Sequence, residues 1–130
     1  MHSNRMCALR RRPMRSMPSK QFDTALRDIL HHIDLASNFS AGFDPASFKH
    51  DIKTVYAVTR CLEIISEASR RLPDDLKARY PAIGWKQMAG AGNVYRHDYE
   101  DVAAEFVWET VARALPPLRV VIEVELKHGV

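Results

Sequence analysis

Cysteine is scarce in this chain of 130 residues: there are two. That is too few for the disulfide framework of a small secreted domain or for a metal-binding quartet. Cys7 lies in a basic head and Cys61 in a strongly helical stretch, so nothing suggests that they pair. Histidine and cysteine also lack metal-ligand spacing. His31 and His32 are adjacent and point to different helix faces, while His50 and His97 have no histidine or cysteine at i+3 or i+4. No apolar run approaches the roughly 18 residues needed to cross a bilayer, and no secretory apolar core is present. A reducing cytoplasm is the expected location. Internal repeats are missing, and so are low-complexity segments beyond the head. Gly90-Ala91-Gly92 does not match the G-x-x-x-x-G-K-[ST] phosphate loop, because no strand precedes it and no Lys-Ser or Lys-Thr follows. A locally irregular or closely packed helix explains it better.

Acidic residues are missing from the first 20 positions, which carry Arg5, Arg10, Arg11, Arg12, Arg15 and Lys20. The net charge of +3 therefore comes from the head, and the remainder is mildly acidic. A basic head can touch nucleic acid, and an acid-free, Arg-rich head can also be a targeting peptide. Since no helical stripe begins before Phe22, and Met17-Pro18-Ser19 resembles an alternative start, residues 1–18 are expected to be a disordered extension. Residues 19–130 then form one domain.

What is present is the composition of an ordinary globular protein, with 46% apolar and 27% charged residues. Phe22, Leu26, Ile29 and Ile33 step by helical spacing and predict a helix over Gln21–Ala36. Asp44 as cap and Pro45 at the first position start a second helix. Its face is Phe48, Ile52, Val55, Leu62, Ile65 and Leu72, and Pro73 ends it. Val58, Cys61, Ile64 and Ala68 widen that face enough to suggest burial on two sides, by the core and by a partner subunit. A short helix is expected over Asp74–Arg79, another from Trp85 to about Tyr95, and another over Asp101–Ala114. Pro116-Pro117 is expected to stop that helix and start the last one. The β-branched tail Val120–Leu126 partly alternates, but a lone strand has no sheet to join, so helix is predicted. The fold class is all-α, a bundle of about five helices with short connections.

Chemistry concentrates in Asn93-Val94-Tyr95-Arg96-His97-Asp98-Tyr99. Histidine is the natural general acid–base near neutral pH, and arginine holds a phosphate by two parallel hydrogen bonds. Together they suit phosphodiester cleavage without a metal: the base takes the ribose 2′-OH proton and the cation stabilises charge at phosphorus. A helix end where His97 and Tyr99 merely cap and pack is the plainer reading of composition alone. Glu63 and Glu67, four apart, form a carboxylate pair for acid–base work or, more simply, a solvated ion-pair face with Arg60, Arg70 and Arg71.

The series Leu62-Glu63-Ile64-Ile65-Ser66-Glu67-Ala68, Leu72-Pro73, Tyr80-Pro81-x-Ile83-x-Trp85, Met88-Ala89-Gly90, Asn93-Val94, His97-x-Tyr99 and Val107-Trp108-Glu109-Thr110-Val111 closely resembles the HepT-like family of HEPN-domain proteins, over roughly Phe22–Leu126. The resemblance implies a helical bundle of the HEPN type that forms homodimers. It implies a toxin of a two-gene toxin–antitoxin system, acting as a metal-independent endoribonuclease on RNA, with no cofactor. The implied partner is an MntA-type nucleotidyltransferase antitoxin that transfers AMP to the tyrosine of an R-x4-H-x-Y motif. Carried over, the histidine is His97, the tyrosine Tyr99 and the adjacent asparagine Asn93. The motif arginine falls on Gly92. Arg96, next to His97, is the arginine at hand. Adjacent helical residues diverge by about 100°, so Arg96 reaches that role only where the backbone leaves helical geometry after Asn93; an arginine of a second subunit is the other source. The expected site is thus His97, Arg96 and Asn93, with Tyr99 as AMP acceptor and Glu67 in support. Gly92→Arg suggests itself as a substitution to complete the motif. The rival reading is a non-catalytic helical partner of a nucleotidyltransferase.

Overall fold

The computed structural model describes residues 16–93 and 100–128. Helix α1 spans Ser16–Ser40, longer at both ends than its stripe suggests. It buries Ala25, Leu26, Ile29, Ile33 and Ala36 on one face. At its end the buried Ser40 hydroxyl donates to Ala36 O at 2.8 Å, so a polar residue continues the helix without an unpaired group. Gly42, at φ 85°, then turns the chain in a region that other residues rarely enter.

Helix α2 spans Pro45–His50. The Asp44 carboxylate accepts from Ser47 N–H at 2.8 Å, and the Ser47 hydroxyl accepts from Asp44 N–H at 3.0 Å. This reciprocal pair satisfies two N–H groups at the helix start. The helix expected to run unbroken to Leu72 stops at Asp51 (φ −100°, ψ 87°), and α3 begins as Ile52–Arg70. Asp51 closes one helix by donating its N–H to Phe48 O at 3.1 Å. It opens the next by accepting Thr54 N–H at 3.2 Å. The break separates two residues that a continuous helix would align: Phe48 is fully buried and Ile52 is 54% exposed.

Beyond the break, Val55, Val58, Cys61, Leu62, Ile65 and Ala68 are buried within the single chain. Helix α1 packs against α3, as do α5 (Trp85–Gly90), the 3-10 turn Ala91–Asn93 and α6 (Glu100–Glu109). Of the residues that widen the α3 face, Val58, Cys61 and Ala68 are thus buried by neighbours in the same chain, while Ile64 is only half-buried.

Between α3 and α5, Pro73 introduces α4, Asp74–Ala78. The Trp85 indole N–H lies 3.1 Å from both Lys77 O and Tyr80 O, which fixes the following loop. After α6 the rod does not stop. It passes through a π-helical segment, Thr110–Ala114, into α7, Leu115–His128. Pro116 and Pro117 lie in the first turn of α7. A proline donates no hydrogen bond and its ring crowds the carbonyl four residues back. The wider turn before them, where Leu115 N–H reaches Thr110 O, relieves both problems without ending the rod.

Helix α7 buries Leu115, Leu118, Val121 and Ile122, and packs on α1 and the π segment. The β-branched tail is helical as expected, and no strand occurs among the described residues. Glu125 is buried in α7 but satisfied: Arg79 donates to it at 2.8 Å and the Tyr80 hydroxyl at 2.5 Å. That carboxylate pushes the Tyr80 phenol above its ordinary pKa, since the O–H must stay protonated to donate. The same core joins α2 to α6, where the Phe48 and Trp108 rings lie 5.2 Å apart.

Candidate functional site

With one side of α3 in the core, its other side presents Arg60, Glu63, Glu67 and Arg70, spaced by 3, 4 and 3 residues. Such spacing sets them in one row along the helix. The end of α5 and the 3-10 turn lie against this row, held by Ser66. The buried Ser66 hydroxyl sits 2.9 Å from Met88 O and 2.8 Å from Ala89 O, and accepts Gly92 N–H at 3.4 Å. Arg70 Nη1 donates to Ala89 O at 2.6 Å. Carbonyls at a helix end lack partners within the helix. Here a hydroxyl and a guanidinium from α3 supply them, and the cation also suits the negative end of the helix dipole.

Gly92 is where the two elements touch. A Cβ on it would stand 2.8 Å from Glu63 Cα and 3.4 Å from Ser66 Cβ. The glycine at the motif-arginine position is thus required by close packing. Gly92→Arg would push the turn off α3 rather than complete a site, so that substitution no longer follows. The reading of Gly90-Ala91-Gly92 as a closely packed segment holds at Gly92. At Gly90 nothing lies within 4 Å of a built Cβ.

Beside this contact lies a cleft of about 210 Å³, lined by Arg60, Glu63, Ser66, Glu67, Arg70, Gly92 and Asn93. The structure therefore brings Asn93 and Glu67, both expected in the site, to one cleft. Arg96, His97 and Tyr99 lie outside the described residues. Asn93 is exposed and is the last described residue before them. The carboxylates are engaged in ion pairs, as their spacing suggested. Arg60 donates to Glu63 at 3.1 Å, and Arg71 lies 3.6 Å from Glu67 and 3.1 Å from Asp28. These are surface pairs of about 0.2–1 kcal/mol, readily exchanged for a ligand. Ser66 and Arg70 enter the site as structural residues that spacing alone did not assign. Spacing gave no signal that singled out Ser66, because Thr59 and Ser69 also place hydroxyls in the buried face.

A larger cavity, about 390 Å³, lies between the α5 region and the π segment. Its walls include Ile83, Met88, Phe106 and Ala114, and its rim charges Glu109 and Arg113 pair at 2.6 Å. It offers less acid–base chemistry than the smaller cleft. Among the described residues no group of three His, Cys, Asp or Glu side chains is placed to hold a metal. Cys61 is buried in the core, and burial pushes its thiol pKa up, which disfavours the reactive thiolate.

Comparison with known proteins decides the family. Residues 29–125 match the family model described as "Ribonuclease HepT-like". The chain belongs to the HepT-like ribonuclease family. The match runs from the middle of α1 into α7 and so covers the α3 cleft and the Asn93–Tyr99 segment. Among HepT-like relatives, "Putative RNase MJ0125" of Methanocaldococcus jannaschii is 36% identical over 103 residues, 79% of this chain and 89% of the relative. "Probable ribonuclease HepT" of Thermococcus cleftensis is 38% identical over 94 residues, 72% of this chain and 86% of the relative. No solved structure gives a significant match. The all-α bundle described above is the HEPN-type architecture of this HepT-like family.

Proposed function

We propose that this HepT-like protein is a metal-independent endoribonuclease toxin, active as a homodimer and silenced by a nucleotidyltransferase antitoxin of the MntA type. The observation that carries the reading is family membership across a chain that keeps His97-x-Tyr99; Asn93, four residues before His97, lines a polar cleft. His97 takes the proton of a ribose 2′-OH. The 2′-oxygen attacks phosphorus, the bond to the 5′-oxygen breaks, and that oxygen takes a proton from water while His97 returns its own to solvent. Products are a 2′,3′-cyclic phosphate and a 5′-hydroxyl. Arg96 offsets the charge building on the phosphoryl oxygens. Asn93 orients its neighbours, and Glu67 supports the site through its ion pair. The basic residues Arg5, Arg10, Arg11, Arg12 and Arg15 add sequence-independent attraction to RNA.

The test is cleavage of RNA by purified protein in excess EDTA, wild type beside His97→Ala. Wild type should cut, and the variant should lose activity by at least about a hundredfold, the scale of general acid–base catalysis. Activity that EDTA abolishes and Mg²⁺ restores would contradict the metal-free mechanism. A second reading has one observation in its favour: packing closes position 92 to the motif arginine. In that reading the chain binds a nucleotidyltransferase without cutting RNA, and Tyr99 is only a modification or docking site.

A further inference from the structure

Among the described residues, Arg27, Arg60, Arg71, Arg79, Arg113 and Arg119 each lie within ion-pair distance of a carboxylate. Arg70 is the remaining described arginine, and no described carboxylate pairs with it. It is exposed and lines the 210 Å³ cleft. The partner it does have is neutral: Nη1 donates to Ala89 O at 2.6 Å. A guanidinium carries five N–H donors in a rigid fork. That one bond therefore holds the group at the cleft wall and leaves its charge unmatched. Fixing the fork in advance lowers the ordering cost of binding a ligand there.

Room and charge say what the group takes. The cleft is smaller than the roughly 300–1,000 Å³ of whole small-molecule sites, so it suits a single anionic group and not an entire nucleotide. Glu63 and Glu67 also line it. Arg60 offsets Glu63 at 3.1 Å, but Glu67 shares Arg71 with Asp28. An anion at Arg70 thus meets one partly compensated carboxylate three residues away. That repulsion penalises a phosphate monoester, with a charge of about −1.5 to −2, more than a phosphodiester with its single charge. Asn93 lines the same cleft, and its amide can donate to a second oxygen. Position 92 cannot supply the cation, because a Cβ there would stand 2.8 Å from Glu63 Cα. Helix α3 supplies it from the other wall.

We propose that Arg70 is a phosphodiester-binding residue of this cleft, holding one phosphate of a bound RNA strand from α3. The bond to Ala89 O stays in place while the rest of the fork takes the phosphate oxygens. That the strand is RNA rests on the ribonuclease reading; the unmatched guanidinium in the cleft does not.

Fluorescence anisotropy with a short RNA, 2′-O-methylated so that it cannot be cut, tests this across a range of salt concentrations. Arg70→Gln should weaken binding about tenfold or more, the scale of hydrogen bonds to a charged group. It should also lower the slope of log affinity against log salt by about 0.7, one phosphate contact on a single strand. Arg70→Lys should bind more weakly than wild type, having lost the fork, yet keep the slope, having kept the charge. Arg113→Gln removes an arginine outside the cleft and should leave the slope unchanged. Inorganic phosphate at matched ionic strength should not displace the RNA, and displacement would overturn the choice of a diester. Wild-type affinity and slope in Arg70→Gln overturn the site. So does an equal loss of slope in Arg113→Gln, which would make the attraction general. If Arg70→Lys loses the slope as fully as Arg70→Gln, the effect belongs to packing of the turn and the site is again overturned. Where the site fails but wild type cuts unmodified RNA, the ribonuclease reading stands alone. An Arg70-dependent slope without cleavage by wild type supports the site and overturns the ribonuclease. Failure of the RNA to bind overturns both.

Discussion

At position 92, two opposed effects meet in a single hydrogen-to-methyl change. Gly92 lies in a 3-10 turn, where alanine's lower backbone entropy favours it by up to about 1 kcal/mol. Against this, the new Cβ would stand 2.8 Å from Glu63 Cα, a backbone atom that cannot swing aside. Overpacking of that kind costs typically about 1–3 kcal/mol, so crowding wins. Gly92→Ala should lower the midpoint of urea unfolding by the equivalent of about 1–2 kcal/mol. A raised midpoint would show that the turn can move off α3 without cost. The sequence marked position 92 as the missing arginine but could not say why. The reason is a long-range contact between residues 29 apart, which no local pattern encodes. Asp44 makes the opposite case, since its capping role was legible from Asp44-Pro45 alone. Hydrogen bonds from the Ser47 backbone, and then from its side chain, hold the Asp44 carboxyl below its usual pKa. A depressed folded-state pKa gives stability that is fully present above the unfolded value of about 3.9. That stability is lost as pH falls through the lower folded value. Acid unfolding followed by circular dichroism should therefore begin at higher pH in wild type than in Asp44→Asn, which keeps an acceptor but cannot titrate. Coincident acid transitions would show that this cap contributes nothing to the pH dependence.

Elements were legible where one face met one core and illegible where the backbone changed type. The stripes of α1 and α7 gave both helices, since 3- and 4-residue steps need no tertiary information. The α2–α3 break did not show, because Phe48, Ile52 and Val55 keep helical spacing straight through it. Asp51 alone signals it, and an aspartate inside a helical pattern is common. The π segment was hidden for a related reason: Pro116-Pro117 reads as a stop, whereas the extra residue in a π turn lets the rod continue. Asp51→Ala tests whether the break depends on its side chain. Loss of the bond to Thr54 N–H should destabilise the protein by about 0.5–2 kcal/mol, as for other N-caps. No loss on thermal melting would mean that packing of Phe48, and not the cap, sets the break. Fusion of α2 with α3 would carry Ile52 toward the side that Phe48 buries, so an altered Ile52 methyl environment by NMR would report it.

In the whole molecule, intrachain packing explains the apolar core that α3 shares with α1, α5 and α6. At the Asn93–Tyr99 segment the sequence said more than packing does. Residue types allowed acid–base chemistry beside a phosphate-binding cation but fitted a plain helix end as well; the order of motifs along α3, α5 and α6 suggested the family, which the family match then showed. Modification chemistry distinguishes a regulated toxin from a silent partner. With ATP and its cognate nucleotidyltransferase, the proposed toxin should gain AMP on Tyr99 rather than on Tyr56, Tyr80 or Tyr95. Tyr99 lies two residues from His97, so the added phosphate and adenosine bring negative charge and bulk to the place proposed for RNA phosphate. Peptide mass spectrometry should locate a single AMP adduct, and the modified protein should lose RNA cleavage. Tyr99→Phe should resist both modification and silencing while still cutting RNA. His97→Ala should still accept AMP yet never cut, which separates the nucleophilic acceptor from the catalytic base. If AMP goes to another tyrosine, or if the modified protein cuts as well as the free one, control by Tyr99 fails even where the ribonuclease activity stands. If wild type takes AMP on Tyr99 but neither cuts RNA nor slows growth, the chain is the helical partner, and the packing that closes position 92 has removed the toxin's chemistry.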